Sequence, residues 1–161
     1  MHVVHKGRIA DLVDLKDGSV FLADFDGGPI VRAMKASYVN LSGIHGGKIV
    51  TLGPFRDEDG GRPGVHEPHV VRQLAVADLT GVLAFTFSTE PEHVTFKLPP
   101  SRECPGLVVL VGDDVYLGCQ FHEDVGLWET AYLNVATGGI VFQVDAAKGC
   151  VSRQWALEAK A

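Results

Sequence analysis

Four residues carry the side chains that hold a transition metal: His45, His66, Glu67 and His69, the last three within His66-Glu67-Pro68-His69. Imidazole nitrogens and a carboxylate suit zinc or non-haem iron when they converge. Local structure alone works against convergence. Pro68 breaks the helix that would stack both histidines on one face, and strand residues three apart point to opposite faces. A metal centre therefore needs the tertiary fold to bring His45 to the tetrapeptide, and a divalent transition metal is the cofactor it would hold.

The second group is the loop Asp57-Glu58-Asp59-Gly60-Gly61-Arg62-Pro63-Gly64. It lies in Gly53 to Glu67, a stretch of charges and chain breakers without apolar spacing. Long loops in compact domains tend to be functional, so Asp57, Glu58, Asp59 and Arg62 form the candidate binding loop. A calcium loop is excluded, because Gly61 and Pro68 stand where an EF-hand needs its fifth donor and its bidentate Glu.

The nucleophile patterns are incomplete. No serine sits in Gly-x-Ser-x-Gly, Cys104 lies in Glu103-Cys104-Pro105-Gly106 without a neighbouring histidine, and Gly43 to Ile49 lacks the residues of a phosphate loop. His122-Glu123-Asp124 reads as a polar hairpin tip. Each chemical motif lacks a part that its mechanism needs, which favours binding over catalysis.

The elements that must position these residues are strands. Turn residues recur every 8 to 12 positions or so, with β-branched and aromatic residues between them. The spacing predicts an all-β fold, an antiparallel sandwich or barrel of ten or more short strands in a single domain over residues 1–161. Asp17-Gly18 predicts a hairpin of 9–15 with 19–25, and Thr80-Gly81 one of 69–78 with 82–88. Further strands are expected at 94–98, 107–111, 115–121, 127–135, 140–144 and 150–157. Val20-Phe21-Leu22, Tyr38 to Leu41 and Gly46-Gly47 recur as Val115-Tyr116-Leu117, Tyr132 to Val135 and Gly138-Gly139, the sign of a duplicated hairpin unit.

The formal charge is −6 and the pI near 5.6. That balance disfavours nucleic acid, whose phosphates are met by Lys and Arg, and a charged partner is expected to be basic. No apolar run reaches the roughly 18 residues of a membrane span. The first residues lack the apolar core of a secretory signal, and three dispersed cysteines suit a reducing cytoplasm. The expected function is therefore a non-catalytic binding protein for a basic protein partner, such as an inhibitor or immunity-type protein. The alternative is a small metal-dependent enzyme or ligand-binding barrel using the His/Glu cluster. Exposed edge strands add homo-oligomer formation as a third expectation.

Overall fold

The computed structural model describes residues 7–25, 30–39, 45–55, 61–72, 75–96, 105–122, 128–145 and 149–160. Among these the chain is built from strands, with two short 3-10 turns, Leu12–Asp14 and Pro68–Val70, and no α-helix. The first seven strands are β1 (Arg8–Asp11), β2 (Val20–Asp24), β3 (Ile30–Val39), β4 (His45–Gly53), β5 (Val65–His66), β6 (Ala75–Asp78) and β7 (Leu83–Phe87). The next seven are β8 (Val94–Thr95), β9 (Val108–Val111), β10 (Asp114–His122), β11 (Trp128–Asn134), β12 (Ile140–Val141), β13 (Gly149–Ser152) and β14 (Trp155–Ala159). The named strand pairs are all antiparallel, as expected, and the sheets do not close into a barrel.

The strand order shows how the chain is organised. One six-stranded sheet runs β1-β6-β2-β3-β4-β5, and the other, read from its far end, runs β8-β13-β9-β10-β11-β12. Counted within each half, the order first-sixth-second-third-fourth-fifth occurs twice. The two seventh strands, β7 and β14, pair with each other, with Phe85 opposite Leu157.

Hydrogen bonds between the halves are reciprocal. Ser37 N–H donates to Gly138 O at 3.0 Å and Gln120 N–H to Pro63 O at 2.8 Å, while Ser88 N–H donates to Gln154 O at 2.9 Å and Lys160 N–H to Val82 O at 2.8 Å. Exchange of matched contacts is the signature of an isologous, two-fold interface. The protein is thus a structural duplication of a seven-stranded unit about an approximate two-fold axis.

This register corrects the sequence-level repeat by one strand. The hydrogen bonds match β2 with β9 and β3 with β10, so Val20 corresponds to Val108 and Met34 to Leu117. Val-aromatic-Leu occurs in both β2 and β10 because both are strands, which is why the wrong pair looks alike. Both expected hairpins are also replaced. β1 and β2 share a sheet but are separated by β6, and β6 and β7 lie in different sheets.

The core arises from this pairing. Val20, Met34, Ala36 and Val50 from one sheet meet Val108, Leu117, Cys119 and Leu133 from the other, and Leu83, Phe85, Trp155 and Leu157 of the β7–β14 ribbon pack against them. At about 25 cal/mol per Å² of apolar surface removed from water, a shared core of this kind is the main stabilising term. The opposite face of the first sheet is covered by its own chain, where Phe21, Val31, Ala33 and Ile49 pack with Leu12 and Leu15. The Lys35 ammonium holds that segment down by donating to Leu12 O at 2.9 Å, Val13 O at 3.2 Å and Leu15 O at 2.7 Å. Burial works to raise the Asp78 carboxyl, but hydrogen bonds from Thr80 and the Arg8 guanidinium outweigh it and hold the carboxyl below its ordinary value. The outer strands β1 and β8 carry Ile9 and Phe96 at or beside matched edge positions, 77% and 86% exposed.

Glycine is required where the halves touch. Gly138 has φ +74°, and a Cβ there would lie 2.2 Å from Gly18 N and 2.7 Å from Lys35 O. Gly112 also has a positive φ but open space around it. Gly112→Ala is expected to cost about 1 kcal/mol, the left-handed backbone penalty alone. Gly138→Ala is expected to cost roughly 3 kcal/mol or more, since backbone must shift as well. Urea melts of the two variants check the difference, and equal midpoints would contradict the close approach of the two halves.

Candidate binding groove

A duplicated fold contains its own control: a feature present in one half and absent from the other is not demanded by the architecture. The largest such difference is the connection between the fourth and fifth strands. Fourteen residues, 51–64, separate the paired Val50 and Val65, whereas six, 134–139, separate the paired Leu133 and Ile140. The short version is a tight turn in which Asn134 Oδ1 accepts from Ala136 N–H at 3.0 Å and Thr137 N–H at 3.2 Å. It packs onto Gly18 of the opposite half.

The long version is anchored at both ends. At its far end Thr51 N–H donates to Gly64 O at 3.0 Å, the counterpart of Asn134 N–H to Gly139 O at 2.8 Å. The Thr51 hydroxyl accepts from Gly64 N–H at 3.0 Å. At its near end the register of β3 against β4 shifts at Arg32/Ala33, leaving Leu52 as a bulge before Gly53, whose φ is +105°, and a cis Gly53–Pro54 bond. A bulge bends its strand and re-aims the residues beyond it, and here the chain leaves the sheet.

The result is a groove of about 740 Å³ along the end of the shared core, walled by Leu22, Leu52, Phe55, Pro63, Trp155 and Leu157. Its volume falls within the 300–1,000 Å³ or so typical of ligand sites. Trp155 is fixed in the wall, stacked on Phe85 at 5.3 Å with its indole N–H donating to Gly106 O at 2.9 Å. Among the described residues one charged side chain lines the groove, that of Arg32. Arg32 alternates with Met34 and Ala36 on the inner face of β3, and its match in the other half is Val115, since Leu22 opposes Arg32 as Leu110 opposes Val115.

Of the predicted loop, Asp57, Glu58 and Asp59 lie outside the described residues, and Arg62 is exposed beside Gly106. Residues 56–60 connect Phe55 to Gly61, and both of these line the groove.

The four metal candidates take separate places. His45 begins β4 opposite Val39, while His66 sits opposite Ile49, four residues and on the order of 13 Å further along the strand. The His66 ring meets Phe25 edge-on at 5.5 Å, and His69 is exposed on the Pro68–Val70 turn. Glu67 forms an ion pair with Lys48, whose ammonium lies 5.2 Å from the centre of the Tyr38 ring. The partners of Lys48 and Glu67 in the other half are Ala131 and Phe142, and Phe142 instead joins Tyr38 and Phe121 in an aromatic cluster.

Sequence reasoning passed over His93. Its Nδ1 lies 2.8 Å from Ser88 Oγ and 3.8 Å from a Glu90 oxygen, and Glu90, Glu92 and His93 bring three donor atoms within 4.8 Å of one another. Ser88 and Glu90 face the same ring nitrogen, whereas a catalytic triad needs nucleophile and orienting carboxylate on opposite nitrogens. Hydrogen bonds from its own backbone N–H and from Glu90 hold the Glu92 carboxyl below its ordinary value. The signal available was Glu-Pro-Glu-His shortly after Ser88, the residue that follows β7.

No protein-family model matches the chain, and neither the curated proteins nor the solved structures include a match.

Removing one partner of a buried pair leaves an uncompensated charge, while replacing the buried member with an apolar side chain does not. Lys48→Met is therefore expected to lie within about 1 kcal/mol of the parent, and Glu67→Ala to cost more than Lys48→Met. Chemical denaturation of both variants checks the order. The reverse order would mean that the fold itself needs the Lys48 charge.

Proposed function

We propose that the protein is a non-catalytic binding module that recognises a basic protein partner through the groove and the loop spanning residues 53–64. The observation that carries this reading is the eight-residue difference between the two matched connections, fourteen residues against six, since the shorter one suffices for the fold. The extra length carries Asp57, Glu58 and Asp59 in a chain of net charge −6, and complementary charge steers association. Half-buried aromatic side chains such as Trp155 and Phe55 supply the apolar anchors on which protein interfaces depend.

Inhibition or neutralisation of a basic enzyme is one activity of this class. Cys119 and Cys150 are free thiols, in keeping with a reducing compartment such as the cytoplasm. No helix of the described residues is long and apolar enough to cross a membrane.

The test is a pull-down from native lysate at low ionic strength, where steering by charge is strongest. It uses the parent, a variant with Asp57→Asn, Glu58→Gln and Asp59→Asn together, and Phe55→Ser. The parent is expected to retain a basic protein that the neutralised loop holds at least tenfold less well and that Phe55→Ser releases. A partner held equally by all three proteins, or none held by the parent, would overturn the reading.

A further inference from the structure

The shared core covers only part of the first sheet's inner face. Ile9, Ala77, Leu22 and Arg32 stand directly opposite one another on β1, β6, β2 and β3, and residues opposite one another across a sheet share a face. Leu22 and Arg32 also line the groove, so this row runs from the groove out to the edge strand. Two positions further along their strands, on the same face, stand Asp11, Asp24 and Ile30. Ile9 is 77% exposed and Ile30 61%, while Val20 and Met34, two positions the other way, are buried in the shared core. The inner face therefore extends past its cover.

The second half shows what the fold itself requires here. Seven residues, 24–30, separate the paired Ala23 and Val31, whereas two, Gly112 and Asp113, separate the paired Val111 and Asp114. The match of Ile30 is thus Asp113, a polar turn residue. At the edge the halves agree, Phe96 matching Ile9 with both exposed. The first half alone lengthens the hairpin and sets an exposed isoleucine on the added face.

The chemistry of the face selects its occupant. An extended chain laid on a sheet face finds no partners for its backbone N–H and C=O groups, because those of the sheet are already paired within it, whereas a helix pairs its own. From β1 to β3 is three strand spacings, about 14 Å, the length of between two and three helical turns. Apolar side chains recurring at helical spacing would meet Ile9, Leu22 and Ile30 across that distance. Asp11 and Asp24 on the same face favour cations beside these contacts, and Arg32 stands at the groove end of the row.

We propose that the overhanging face of β1, β6, β2 and β3 takes an amphipathic helix of the partner, with its apolar side chains on Ile9, Leu22 and Ile30 and its lysines or arginines beside Asp11 and Asp24. The inference rests on the reading of the protein as a binding module for a basic protein and names the segment that it recognises. The face adjoins the groove and is complete without the loop of residues 53–64.

The experiment titrates two fluorescein-labelled leucine–lysine peptides of equal length and composition, one with its leucines at helical spacing and one with leucine and lysine alternating. The proteins are the parent, a variant with Ile9→Ser and Ile30→Ser together, and a variant with Asp11→Asn and Asp24→Asn together, read by fluorescence anisotropy. Ile9 and Ile30 are exposed, so the serine substitutions leave the fold intact, which a thermal melt confirms. The parent is expected to bind the helical-period peptide at least tenfold more tightly than the alternating one. The serine variant is expected to lose that preference, and the asparagine variant to bind several-fold more weakly with a flatter dependence on salt. Equal binding by the parent and the serine variant, or no binding by the parent, would overturn the proposal. So would an equal or stronger hold on the alternating peptide, since the occupant would then be a strand on the β1 edge. If the protein captured from lysate is released by Phe55→Ser but held by the serine variant, the helix assignment fails and the protein-binding reading stands.

Discussion

Neither six-stranded sheet can cover its own inner face, and the rest of the structure depends on that constraint. Val20, Met34, Ala36 and Val50 on one sheet find their cover in Val108, Leu117, Cys119 and Leu133 of the other. A sheet with an apolar face must bury it against a second layer, and here the second layer is a copy of the first. The reciprocal hydrogen bonds from Ser37 to Gly138 and from Gln120 to Pro63 fix how the copies meet. The β7–β14 ribbon, formed by one strand from each half, then closes the side of the core.

Once two copies share a core, each position in one half has a reference position in the other. The backbone devices are kept in both: Gly18 and Gly106 have φ +87° and +86°, and their N–H groups donate to the matched Lys35 O of β3 and Gly118 O of β10. Several departures place a polar or longer feature in the first half, although others run the opposite way, as where Val31 matches Asp114. Arg32 replaces the Val115 type, Lys48 the Ala131 type, Glu67 the Phe142 type, and the acidic insertion replaces a tight turn. A fold that accepts the apolar or short alternative in one half does not need the polar or long one in the other. These departures are where selection for something other than folding leaves its mark.

Much of this was legible from the sequence at the level of single elements. The turn residues around 107–111 and 115–121 marked strands that lie within a residue of those observed, and the chain breakers of 53–64 marked the loop that borders the groove. Pairing was less legible. Asp17-Gly18 does produce a turn, but the strand after it pairs with β3 and β6, because β6 comes back between β1 and β2. A turn residue reports local φ, whereas the choice of neighbour is decided by which apolar faces must meet.

Arg32 illustrates the same limit at the site. Its spacing from Met34 and Ala36 already placed it on their face, yet a single arginine in a strand reads as solvent-facing until the opposing wall is known. Trp155 and Leu157, more than a hundred residues away in sequence, supply that wall. The His66-Glu67-Pro68-His69 cluster read as a metal site from composition, but the strand register sets Glu67 against Lys48 and His45 well along the strand from His66.

The central claim is that the long connection serves binding and not folding, and replacing residues 52–64 with the counterpart Val135-Ala136-Thr137-Gly138-Gly139 tests it directly. The transplanted turn brings the glycine carbonyl that already accepts a hydrogen bond across the two halves in its own context. Measured by thermal melting and by capture of the partner that the parent binds, the chimera is expected to unfold cooperatively within a few degrees of the parent and to capture nothing. A chimera that fails to fold, or one that folds and still holds the partner, would contradict the account.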